Sequence, residues 1–213
     1  MSPDRLRPYA AVGALFGATA VLLQFGIALQ PDVAKGASFG WSVAMFLGYF
    51  TILTNIGCTV AMGAAAVRGD GSLRRFFRRP GVITALATAI LIVGAVYHFV
   101  LRTLWNPQGW GLVADTMLHY GTPILFQLFW WAAVPGKALA FMQIPAWCAY
   151  PLGYFAYVIV RGTVMHVYPY PFVDVGVLGL ATVVRNSVGL LAAFAMVAAV
   201  HVTINRQRAA PVA

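Results

Sequence analysis

The chain has 213 residues, of which 61% are hydrophobic and only 9% charged, and its formal net charge is +9. A soluble domain carries roughly a quarter charged residues, so a water-covered globular enzyme and a disordered chain are both excluded. The basic excess does not read as a nucleic-acid footprint, because five arginines (Arg68, Arg74, Arg75, Arg78 and Arg79) crowd one segment between apolar runs, as on the cytoplasmic side of membrane proteins.

A membrane-spanning helix needs about 20 mostly apolar residues, and six stretches qualify: 9–29, 39–67, 82–101, 110–133, 146–166 and 175–204. The expected fold is therefore an all-α integral membrane protein, a single six-helix domain over residues 1–213. The first stretch is too long for a signal peptide and lacks a small-residue cleavage site, so it is expected to be retained. Turn residues separate the spans at Gln30-Pro31-Asp32, Arg79-Pro80-Gly81, Asn106-Pro107-Gln108-Gly109 and Pro135-Gly136. Ten Lys and Arg then fall on the side of the N-terminus and four on the other, which predicts N-in, C-in topology. Besides marking topology, the arginine loop can touch anionic membrane lipids. Cys58 and Cys148 sit in apolar stretches without metal-ligand spacing and read as small buried hydrophobes.

Function is expected where polar groups interrupt these spans, because burying them in hydrocarbon is costly unless they are paired. Thr51 and Asn55 lie four apart in the second span, on one helix face. That spacing fits a shared inward polar face, or a threonine bonded to its own backbone. Asp115 and His119 are four apart in the fourth span, where the carboxylate can reach the imidazole and fix its tautomer. Pro123 removes the hydrogen bond to the His119 carbonyl, so a kink and a free acceptor are expected there; a packing histidine beside a membrane proline is the plainer alternative. Arg102, Arg161 and Arg185 share a layer with Asp115 and Asp174, and Arg161 is expected to pair with one of those aspartates, in a layer that serves either a site or packing alone. Tyr168-Pro169-Tyr170-Pro171-Phe172 reads as an interfacial aromatic cap, and His201 as a solvated, snorkelling side chain. The pocket is expected to take its walls from spans two to five and to open outward.

At these residues the sequence resembles bacterial members of the androgen-induced-gene family of six-helix membrane proteins, which includes the androgen-dependent regulator of tissue factor pathway inhibitor. The resemblance runs through Phe50-Thr51-Ile52-Leu53-Thr54-Asn55, Tyr97-His98 with Leu101-Arg102, Leu118-His119-Tyr120 with Pro123, Tyr150-Pro151 with Tyr154, Arg161-Gly162 and Tyr168-Pro169-Tyr170-Pro171-Phe172. It implies an intramembrane hydrolase of fatty acid esters of hydroxy fatty acids, with Thr51 as the nucleophile and His119 as the histidine. The chain departs from the animal members at Thr116, where they carry a second histidine, and its His119-to-Pro123 spacing is one residue shorter.

Two functions follow as expectations. The first is a lipid esterase that uses no metal or cofactor. His119 would take the proton of Thr51, Asp115 would orient the imidazole, and Asn55 or a tyrosine hydroxyl would face the oxyanion. Arg161 supports that site, and His98, Arg102, Tyr120 and Tyr154 are expected to line its substrate pocket. Counted along straight helices, Thr51 lies about 18 Å from the outer end of its span and His119 about 9–14 Å from its own, so their meeting depends on helix tilt. The alternative is a binding or transport protein for a small lipophilic ligand, including a haem held by His98 and His119.

Overall fold

The computed structural model describes residues 3–104 and 106–210. Every regular element among them is helical. Helix α1 (Pro3–Ala34) is followed by α2 (Phe39–Phe46), α3 (Phe50–Ala66), α4 (Ser72–Phe77) and α5 (Pro80–Val96), which runs on through a π-helical turn, Tyr97–Leu101. Helices α6 (Trp110–Thr116) and α7 (Thr122–Ala133) are joined by a second π turn, Met117–Gly121. Then come α8 (Ile144–Met165), α9 (Val175–Leu178) and α10 (Leu180–Gln207).

Each apolar stretch read from the sequence holds helix, but not always one straight rod. Three helices are long and apolar enough to cross a membrane: Arg5–Ala34, Pro80–Leu101 and Leu180–Gln207. The α2–α3 pair is a fourth if counted as one span, with an 84° bend at Leu47-Gly48-Tyr49. The sixth stretch is likewise divided, into a single turn (α9) capped by the Asp174 carboxylate on Val177 N–H at 3.1 Å and the long α10.

Packing joins α1 to α3, α5 to α7, and α10 to both α5 and α8. Phe126, Phe129, Phe194, Met62, Ile90 and Trp130 fill the main core. A second cluster, built from Tyr97, Leu101, Tyr154, Phe155, Val158, Tyr170 and Val183, lies under the loop that follows α8. The outside is apolar, with Val12, Leu15 and Leu22 exposed on α1 and Val184, Val188, Met196 and Val200 on α10. The inside holds Thr51, Asn55, Thr88, Asp115, His119, Arg161 and Asn205, all buried. This reversed distribution is what a surrounding hydrocarbon phase selects.

His201 corrects its sequence reading as a solvated side chain. It is buried, and it ties three helices together through Thr88 on α5 (3.2 Å) and Gln127 on α7 (2.9 Å). Nearby, Asn205 accepts from Leu139 N–H at 3.0 Å and donates to the Pro135 carbonyl at 2.7 Å, pinning the connector after α7. In an apolar interior such satisfied polar groups fix helix register, because any slip strands them.

Candidate functional site

Thr51 is the second residue of α3, and the bend at Gly48 places it there. The residues of α2 therefore add nothing to its depth along α3, and the separation counted along a straight span does not apply. The backbone N–H of Thr51 belongs to the first helical turn, which has no intrahelical acceptor. It donates instead to the Tyr170 hydroxyl at 3.2 Å, and that same hydroxyl lies 3.2 Å from Thr51 Oγ1. Having accepted from the amide, the phenol is free to give its own proton to Thr51 Oγ1.

Tyr170 was read in the sequence as part of an interfacial cap, yet it is buried beside Thr51. Burial pushes its phenol above the ordinary value, while the hydrogen bonds with Thr51 pull more weakly the other way. The group is thus a protonated donor throughout the physiological range. Alternation of Pro and Tyr gave no hint that the middle tyrosine points inward.

His119 sits on the π turn between α6 and α7. Its Nδ1–H donates to the Asp115 carbonyl at 3.0 Å and lies 3.2 Å from Asp115 Oδ1. Those acceptors fix the proton on Nδ1 and leave Nε2 as the basic nitrogen, which bonds no described residue. The Tyr97 ring stacks on the imidazole with centroids 3.9 Å apart, and its hydroxyl donates to Asp115 Oδ2. Where the sequence leads one to expect a kink ahead of Pro123, the chain forms the π turn Met117–Gly121, which carries His119. The His119 carbonyl faces Gly94 so closely that a Cβ there would stand 3.1 Å from it.

Asn55 links the two halves of the site. Its Nδ2 donates to the Thr51 carbonyl at 2.8 Å and to the Leu118 carbonyl, next to His119, at 3.4 Å. With its amide spent on these carbonyls, Asn55 holds α3 against the π turn and is not available to an oxyanion.

Thr51, Asp115, His119 and Tyr170 all line one cavity of about 470 Å3. Its walls include Gln24, Ile27 and Asp32 of α1, Met45 and Phe46 of α2, and Pro107 and Pro169 from connectors. The cavity thus lies at the end of the bundle away from the arginine loop. Helix α1 forms a wall that the sequence reading did not assign to it, whereas α8 contributes none. A narrow apolar crevice of about 50 Å3, lined by Val93, Val96, Pro151, Tyr154, Phe155 and Phe194, meets this cavity at Thr51, Leu101 and Tyr170.

Other expected site residues fall elsewhere. Tyr154 lines the crevice and donates to the Gly48 carbonyl at 3.0 Å. His98 and Tyr120 bond each other at 3.1 Å and line neither space, and Arg102 is exposed. Arg161 is buried but pairs with neither Asp115 nor Asp174; its partners are the Val167 carbonyl at 3.3 Å and Met45 Sδ at 2.9 Å. Thr51 and His119 share the cavity without bonding each other. No family model, characterised protein or solved structure matches the chain.

Proposed function

We propose that this chain is an intramembrane lipid ester hydrolase in which Thr51 is the nucleophile and His119 the general base. The observation that carries this reading is the shared cavity. A hydroxyl at a helix N-terminus, an imidazole with a free Nε2, an orienting carboxylate and a buried phenol donor all face one space. Six spans with both termini in the cytoplasm, in a bacterial inner membrane, complete the proposal. It draws support from the apolar exterior and the clustering of Arg68, Arg74, Arg75, Arg78 and Arg79 at one end.

In the mechanism, the substrate's carbonyl oxygen takes the Tyr170 hydroxyl from Thr51. Thr51 Oγ1 turns about its single side-chain torsion and attacks the carbonyl carbon while His119 Nε2 removes its proton. The oxyanion forms against Tyr170 and the positive end of α3. As the C–O bond to the leaving alcohol breaks, His119 returns the proton to that oxygen. Water then attacks the acyl-threonine with His119 again as base, which releases the fatty acid and restores Thr51. The crevice beside Thr51 suits the start of an acyl chain, and the larger cavity suits the alcohol portion. An ester of a fatty acid with a hydroxy fatty acid, as the family resemblance implies, has that shape.

The test is hydrolysis of medium-chain lipid esters by the purified protein in nanodiscs. We expect turnover that rises with acyl length over the first few carbons and then levels off as the crevice fills. Absence of turnover on every ester, with the protein folded, overturns the proposal.

A further inference from the structure

Arg161 is 7% exposed, on α8, with no counter-ion among the described residues. Leaving a cation in an apolar interior without a partner is costly, and such a group calls for an explanation. Its three nitrogens are used unequally. Nη1 donates to the Val167 carbonyl, Nη2 reaches only the Met45 thioether, and Nε is buried without any partner. Nε and Nη2 lie on the same edge of the guanidinium. That edge is the planar fork that matches the two oxygens of a carboxylate.

The bend makes room for the guanidinium itself, and Met45 covers its fork. Gly48, at the α2–α3 bend, lies against the guanidinium, where a Cβ would stand 2.8 Å from Cζ. Met45 lies between the fork and the cavity, because it touches Nη2 and also lines the cavity wall. A thioether is a weak acceptor on an unbranched, easily rotated chain. It holds the place of a stronger acceptor and can swing aside.

We propose that Arg161 is a carboxylate receptor, covered by Met45 in the free protein and engaged in bidentate fashion by the carboxylate of an acyl-chain ligand. The choice of an acyl carboxylate rests on the lipid-ester reading of the cavity. Two oxygens in one plane match the edge formed by Nε and Nη2, supplying the partner that Nε lacks and replacing the thioether at Nη2. Arg161 thus discriminates among ligands without touching the reacting atoms.

The experiment measures binding of tritiated palmitate and of hexadecanol to the purified protein in nanodiscs at pH 9, where the acid is ionised. Neither probe is an ester, so the result is independent of hydrolysis, and hydrolysis can fail or succeed without affecting it. The wild-type protein is expected to prefer the acid by about 10- to 100-fold, the usual worth of a charge-assisted hydrogen-bonded pair. Met45→Ala should bind palmitate more tightly, since nothing has to be displaced. Arg161→Met should lose the preference while keeping its affinity for the alcohol. Equal binding of acid and alcohol by both the wild type and Met45→Ala overturns the proposal, as does a preference that survives in folded Arg161→Met. If Arg161→Met does not fold, the wild-type and Met45→Ala comparison decides alone.

Discussion

Thr51→Ala and His119→Ala are each expected to lower ester hydrolysis by roughly 10²–10⁴-fold, the usual worth of a positioned general base and its nucleophile. The double variant should be hardly slower than either single one, because residues acting as a unit are grossly non-additive. Thr51→Ser keeps the hydroxyl and should retain measurable activity. Steady-state rates on one medium-chain ester, with a detergent melting curve for each variant, provide the check. Thr51→Ala should cost only about 1 kcal/mol of stability, the loss of one hydrogen bond to Tyr170. Additive losses, or Thr51→Ala turning over at the wild-type rate, would count against the mechanism.

Tyr170→Phe is expected to reduce kcat by roughly 10²–10³-fold, the range found when one oxyanion donor is removed. The substitution keeps the ring, which is stacked on Phe172 and edge-on to Tyr49, and removes only the oxygen. It also uncaps the Thr51 N–H at the start of α3, at a cost of about 1 kcal/mol. Burial pushes the phenol above its ordinary value, so the lost group is a protonated donor and not a base. A Tyr170→Phe protein with normal kcat would remove Tyr170 from the chemistry and leave it as a helix cap.

Much of the fold was legible because apolar runs and turn residues delimit helices. The polar positions inside those runs were legible for the same reason, so Thr51, Asn55, Asp115, His119 and Arg161 could be singled out as buried. The Asp115–His119 contact could be read as well, since four-residue spacing within one helix fixes it locally. What could not be read depends on how helices bend and rotate against each other. Gly48 carries no proline or charge to announce an 84° break, yet that break sets the position of Thr51. Tyr170 looks like any interfacial aromatic until the loop folds it inward onto Thr51. Arg161 has two plausible acidic partners in the sequence, and tertiary placement gives it neither. His201 lies near a basic terminus, which suggested solvent, but Thr88 and Gln127 meet it from two other helices.

The most direct measurement is the site at which a long-chain fluorophosphonate attaches to the purified protein, read by peptide mass spectrometry. Attack by an activated hydroxyl on phosphorus expels fluoride and leaves a stable phosphonyl ester on the nucleophile. The expected adduct is on Thr51, absent in Thr51→Ala and much slower to form in His119→Ala. An adduct on another hydroxyl such as Ser42 or Thr54, or no adduct from a protein that hydrolyses lipid esters, would contradict the assignment of Thr51.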